Sequence, residues 1–267
     1  MAKLRIIINF VSHLFRMKNI VLVGSGNVAT HLGLSLVNKG YKIKQVWSRK
    51  RENANILAER LNANAINSLN KIKNADLYIL AIKDDALKSI LNKINVDNII
   101  HTSGSIDINV FEGKFRNYGV FYPLQTFNKQ VNLDFSKTPI CIEANNKYFN
   151  KELLDIGKDL SEKVVEINSQ ERKKIHLAAV FACNFTNHMF AIADAILNNS
   201  KNNFQLLLPL INQTVEKIKK QKPSEIQTGP AARKDLKIIQ QHIDSLSENR
   251  IKEIYKIISY SIMENND

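Results

Sequence analysis

Short apolar runs alternate with amphipathic stretches through the first 168 residues. Residues 20–23 (IVLV), 41–47, 63–66, 75–82 (ADLYILAI), 98–102 and 118–122 are rich in β-branched and aromatic side chains and read as strands. Between the first two, Ala29, Leu32, Leu34, Leu36 and Val37 form an apolar helical face that Gly40 ends. Residues 53–61 predict a second helix. A third begins after Lys83, where Asp84 and Asp85 suit the positive end of a helix dipole. Residues 139–143 and 164–167 flank a helix around 149–160 and add two strands at the far side. This alternation predicts an α/β fold, with a doubly wound, mostly parallel sheet and right-handed crossovers.

From residue 170 the pattern becomes helical. Residues 170–198 contain neither proline nor glycine, and at a rise of about 1.5 Å per residue they would span roughly 40 Å. Such a helix suits the axis of a second domain or a homodimer contact, and residues 251–263 add a closing amphipathic helix. At about 100° per residue, Asn184, Asn187 and Asp194 fall within about 80° of His176, a polar stripe on a helix read as largely buried. His176 and Asn187 stand about 16 Å apart along the axis, too far to grip one small substrate. Lys173 and His176, three residues apart, are the candidate orienter and proton donor, since imidazole chemistry near neutral pH suits proton transfer. The alternative is a hydrogen-bonded interface histidine. The predicted division is an N-terminal extension over 1–16, an α/β domain over 17–168 and an all-α domain over 169–267.

The first strand runs into Gly24-Ser25-Gly26-Asn27-Val28-Ala29, a G-x-G-x-x-A turn that opens a helix. The first glycine turns the chain and the second clears space for a pyrophosphate to approach the backbone, while Ala29 permits close helix packing. Free amides at the helix N-terminus then face the phosphates. An NAD site usually carries Asp or Glu about 20 residues farther on. Here that place holds Ser48, Arg49, Lys50 and Arg51, whose hydroxyl and cations suit a 2′-phosphate and favour NADP. Ligands of such sheets lie beyond the carboxyl ends of the strands, so Ala81, Ile82, Lys83, Thr102 and Ser103 join the cofactor set by position. Gln125, in the turn after the sixth strand, bonds either a substrate or its own loop.

Charge and cysteine content change little. The 38 basic residues outnumber 25 acidic ones, for a net charge of +13. The lysines are scattered, without an aromatic-interleaved basic stripe, so a specific nucleic-acid partner is not expected. Cys141 and Cys183 offer neither a disulfide framework nor a zinc spacing, consistent with a reduced, cytoplasmic protein that holds no metal. Residues 6–11 follow Lys3 and Arg5 in the manner of a weak signal peptide, but no small-residue cleavage site follows. An extension ahead of Met17 is the preferred reading. No run reaches the ~18 uninterrupted apolar residues of a membrane span.

The segments GSGNVATHL, ADLYILAIKDDAL, IIHTSGS, VFYPLQTF, HLAAVFACNFTNH and QTGPAARKDLKIIQQH resemble the bacterial proteins that join a Rossmann-like NADP-binding domain to a helical C-terminal domain of unknown function. The resemblance runs from about Met17 to near the C-terminus. Its layout is similar to pyrroline-5-carboxylate reductase, ketopantoate reductase and 6-phosphogluconate dehydrogenase, which implies a substrate cleft between domains and a homodimer through the helical halves. Two departures stand out. The G-x-x-G-x-G-x-x-x-K catalytic segment of β-hydroxyacid dehydrogenases is absent, so no lysine role transfers to Lys173. The PLQTF loop follows Tyr122, where the family is expected to show histidine. In the Gln227–Asp235 patch, Arg233 could hold a carboxylate or phosphate after a Thr-Gly-Pro turn, or pair with Asp235 in a plain connection. The combined expectation is an NADP-dependent oxidoreductase acting on a small, anionic metabolite, with Asn184, Gln125 and Arg233 near the substrate. The alternative is a non-catalytic NADP sensor or scaffold.

Overall fold

The computed structural model describes residues 17–197 and 203–264. The extension over 1–16 and Asn198 lie outside the described residues. Two compact units divide the chain after Cys183 rather than after residue 168, so the first part of the long helix goes with the sheet.

The first unit is built on one eight-stranded sheet of order β3-β2-β1-β4-β5-β6-β7-β8. Its strands are β1 (Asn19–Val23), β2 (Lys42–Trp47), β3 (Asn64–Ile66), β4 (Leu77–Leu80), β5 (Asn98–His101), β6 (Asn117–Pro123), β7 (Ile140–Ala144) and β8 (Val164–Glu166). All neighbours run parallel except β6 and β7, which are antiparallel. Ile20 to Val23 and all of β4 are buried, which is why both read as continuous apolar runs. Alternate residues feed opposite faces. Ile20, Leu22, Leu77 and Ile79 pack with helices α1 (Asn27–Asn38), α2 (Arg51–Arg60) and α4 (Lys147–Leu160). Val21, Val23, Tyr78 and Leu80 pack with α3 (Asp84–Leu91), Phe111 and Phe115.

At the amino ends of the strands, polar side chains link one strand to the next. Asp76 Oδ2 accepts from the amide of Asn19 at 2.7 Å, and Asn98 Nδ2 donates to the Asp76 carbonyl at 2.9 Å. Asn117 donates to Asn98 at 2.8 Å, and Asn146 to Asn117 at 2.9 Å. The carboxyl ends carry no comparable chain of amides among the described residues and open instead into the site.

Helix α5 (Ser169–Ala179) opens with a capping box between Asn168 and Glu171. It continues through a π-helical segment, Val180–Phe185, into α6 (Thr186–Leu197), for 29 residues in all. Because each π turn takes in an extra residue, the regular angular count that grouped His176 with Asn184, Asn187 and Asp194 does not carry across this segment. The helix is also not buried as expected: Leu177, Phe181, Phe185 and Ile196 are 49–62% exposed. By length and composition, though not by an uninterrupted apolar run, it could cross a membrane.

The second unit contains α6, α7 (Leu208–Ile218), α8 (Leu236–Ser245) and α9 (Asn249–Glu264). Ala231, Ile239 and Ile243 form its small core with Tyr255, Ile262 and Met263.

Candidate active site

Strand order reverses at β1, whose neighbours β2 and β4 lead away on opposite sides. The crevice at that reversal holds the Gly24–Val28 turn. Gly24 has φ +129, and a Cβ there would stand 2.1 Å from the Ala81 carbonyl oxygen, so only glycine fits between β1 and β4. Nothing lies within 4 Å of a Cβ built on Gly26, which leaves the space above the turn open. Gly26 is also the N-cap of α1; it brings no capping side chain, and no acidic residue occupies the first turn. The amides at this helix start therefore remain suited to an anion.

From this turn a cavity of about 940 Å³ extends along the carboxyl edge of the sheet. One end is lined by Trp47, Ser48, Arg49 and Asn53; the other by Thr102 to Ser105, Tyr122, Gln125 and His176. At the second end Tyr122 and His176 form a pair, with Oη and Nδ1 3.0 Å apart and the rings edge-on. Gly104 makes the pair possible: a Cβ there would lie 2.6 Å from His176 Nδ1 and 2.8 Å from Tyr122 Cζ. Burial raises the Tyr122 pKa to about 12, so its hydroxyl keeps its proton and its oxygen remains a neutral partner for Nδ1 of His176.

Behind this end, His101 closes β5. Its Nδ1 accepts from the Ser103 amide at 3.1 Å, Nε2 is buried with no hydrogen-bond partner among the described residues, and the ring stacks on Phe111. Burial, with the nearby Arg172 guanidinium as the second cause, depresses its pKa to about 3, so this histidine stays neutral. Arg172 is itself fully buried; it pairs with Glu143 on β7 and donates to the Ile106 carbonyl and Ser169 Oγ. It thereby ties the start of α5, and so His176 one turn later, to the sheet and to the Ser103–Ile106 loop.

Residues 19–110 match the family described as NADP oxidoreductase, coenzyme F420-dependent, and residues 138–262 match a domain of unknown function, DUF2520. The chain is 41% identical to a candidate NADP oxidoreductase from Bacteroides fragilis, covering 93% of this chain and 98% of that one with a TM-score of 0.88. This chain belongs to that family. A protein from Thermotoga maritima (22% identity, 92% and 98% coverage, TM-score 0.67) shares the fold, as does a pyrroline carboxylate reductase from Plasmodium falciparum with NADP bound (15%, 94% and 100%, 0.59). No match was found among curated proteins. The expected family, a Rossmann-like domain joined to a helical domain of unknown function, is thus the one found.

In this family member, the cavity brings together Gly24, Ser25, Gly26, Asn27, Val28, Ser48, Arg49, Ala81, Ile82, Lys83, Thr102, Ser103, Gln125 and His176. Lys50 is not among them; it is exposed and supplies the N-cap backbone of α2. Lys173 is also apart from the cavity lining, because its Nζ pairs with Asp107 at 2.7 Å, so it is not the partner expected for His176. That bond is the main reason the Asp107 carboxyl sits below its usual range. Gln125 faces the cavity while its Oε1 accepts from the Thr126 amide at 2.8 Å. Asn184 and Arg233 are exposed residues of the second unit, and Asp235 caps α8 by accepting from the Ile238 amide. Three residues of weight were missed in the sequence: Tyr122 as the partner of His176, buried Arg172 and Lys129. Tyr122 alone carried a signal, by standing where the family was expected to show histidine.

Proposed function

We propose that this chain is an NADP-dependent oxidoreductase that transfers a hydride to or from a small, anionic metabolite. The observation that carries the reading is the single cavity that joins an open glycine turn and a Ser48-Arg49 pocket to a tyrosine-supported histidine. Gly24, Ser25, Gly26, Asn27 and Val28 would hold the diphosphate, and Ser48 with Arg49 the 2′-phosphate. Bound NADPH supplies the hydride; the protein supplies orientation and a proton. His176 gives or takes that proton at Nε2, while Nδ1 keeps its hydrogen and donates it to the Tyr122 hydroxyl oxygen in both states. The cations Arg49, Lys83 and Lys129 outnumber Asp84 and Asp85 along the described lining, which favours an anionic ligand.

Calorimetry with NADPH and NADH tests this. Wild-type protein is expected to prefer NADPH, and Arg49→Glu to lose that preference while still binding NADH. Failure of wild-type protein to bind either dinucleotide would end the reading. Tight NADPH binding without oxidation by any keto acid, imine or aldehyde would favour the non-catalytic sensor.

The partner of the long helix is, on the same footing, a second copy of this chain. Leu177 and Ile196 are large apolar side chains more than half exposed along one helix. Light scattering at a dimer mass is the expected result, and a monomer at all concentrations would contradict it.

A further inference from the structure

The loop between β6 and β7 does not simply connect two strands. It reaches back about one hundred residues in sequence to the glycine turn, where three side chains join the two segments. Asn27 Nδ2 donates to the Phe127 carbonyl at 2.8 Å, and His31 Nε2 meets the Asn128 carbonyl at 2.9 Å. Lys129 Nζ donates to the Ser25 carbonyl at 2.6 Å. The His31 and Phe127 rings lie 5.4 Å apart, and Phe127 stacks in turn on buried Phe135. Phe127 and Lys129 both line the cavity alongside Gly24 to Val28.

Charge gives this strap a purpose. A dinucleotide diphosphate brings two negative charges to a turn whose own helix start offers amides but no cation among residues 24–30. Among the described cavity-lining residues the cations are Arg49, Lys83 and Lys129, and Lys129 donates a hydrogen bond to the glycine turn. A lysine ammonium has three donors, of which the Ser25 carbonyl takes one.

We infer that Lys129 is a diphosphate-binding residue, held over the Gly24–Gly26 turn by the strap so that its remaining N–H donors meet the phosphate oxygens. The inference rests on the dinucleotide reading of the cavity. It assigns the strap, together with the glycine turn, to the part common to NADPH and NADH, and leaves discrimination between them to Ser48 and Arg49. Because the Asn27 and His31 contacts do not involve Lys129, the strap stays in place when its charge is removed.

Calorimetric titration of the full chain with NADPH, NADH and adenosine 2′-monophosphate separates the possibilities. Lys129→Gln, which keeps an N–H donor for Ser25 but removes the charge, is expected to weaken NADPH and NADH alike, by about tenfold. Binding of adenosine 2′-monophosphate, which has no diphosphate, should change less than twofold. Lys129→Arg should restore most of the lost affinity. Unchanged dinucleotide binding in Lys129→Gln, while wild-type protein binds NADPH, would overturn the Lys129 assignment and leave the cofactor reading standing. An equal loss for adenosine 2′-monophosphate would also overturn it, by revealing a general collapse of the turn. If wild-type protein bound none of the three, the cofactor reading would fall and Lys129 with it.

Discussion

His101 should make the fold sensitive to mild acid. In the unfolded chain an ordinary histidine takes up a proton near pH 6.5; in the native state burial and Arg172 hold His101 neutral down to about pH 3. Between those values the unfolded state binds the extra proton, so stability falls as pH falls, by about 1.4 kcal/mol per pH unit. From about pH 6.5 to about pH 5 this single group would cost about 2 kcal/mol, a sizeable share of the ~5–15 kcal/mol that typically holds a domain together. The assay is urea unfolding at intervals between about pH 7 and about pH 5, above the range where Asp107 and other carboxylates take up protons. His101→Asn is the comparison, since its Oδ1 can replace Nδ1 as acceptor for the Ser103 amide but cannot titrate. Wild-type stability is expected to drop through this interval while the variant stays flatter, whatever its absolute stability. Parallel curves would refute the argument, because they would mean that His101 is already protonated or solvated in the native state.

Two further substitutions test the frame around the cavity. Arg172→Met removes the fully buried cation and leaves its partner Glu143, only 16% exposed, without a counter-charge, so a loss of about 3–5 kcal/mol by denaturant unfolding is expected. The additional change Glu143→Leu should recover part of that loss; a cost for Arg172→Met below about 1 kcal/mol would show that the pair is already hydrated. Gly24→Ala drives a methyl group into the Ala81 carbonyl and should abolish dinucleotide binding in calorimetry, whereas Gly40→Ala, at a positive-φ turn with open space around it, should cost stability but not binding.

Much of the first unit was legible because its signals are local. The buried runs at 20–23 and 77–80, the glycine turn and the aspartates opening α3 each declare their role within a few residues, and the structure places all of them as their pattern predicts. The candidate site was legible only where it lies on those elements. Lys173 looked like a companion of His176 because they are one turn apart, but Asp107, 66 residues earlier in sequence, neutralises it. Arg172 carries no local signal of burial, yet it is the largest fully buried side chain among the described residues. Lys129 acquires its place from a contact across 104 residues, and no periodicity could reveal that. The π segment was illegible for a different reason: Val180–Phe185 has the composition of an ordinary apolar helix, and only its hydrogen-bond spacing sets it apart.

The chain of hydrogen bonds from the Asp76 carbonyl through the Asn98 and Asn117 side chains to Asn146 lies at the opposite edge of the sheet from the cavity. Slipping β5 or β6 by a residue would turn Asn98 or Asn117 to the other face and sever the chain. Alignment of the strands is therefore secured at the rear, independently of the loops in front. Relatives built on the same frame are then free to exchange, lengthen or recharge the segments that meet the ligand, and new specificity can arise there without disturbing how the strands are matched.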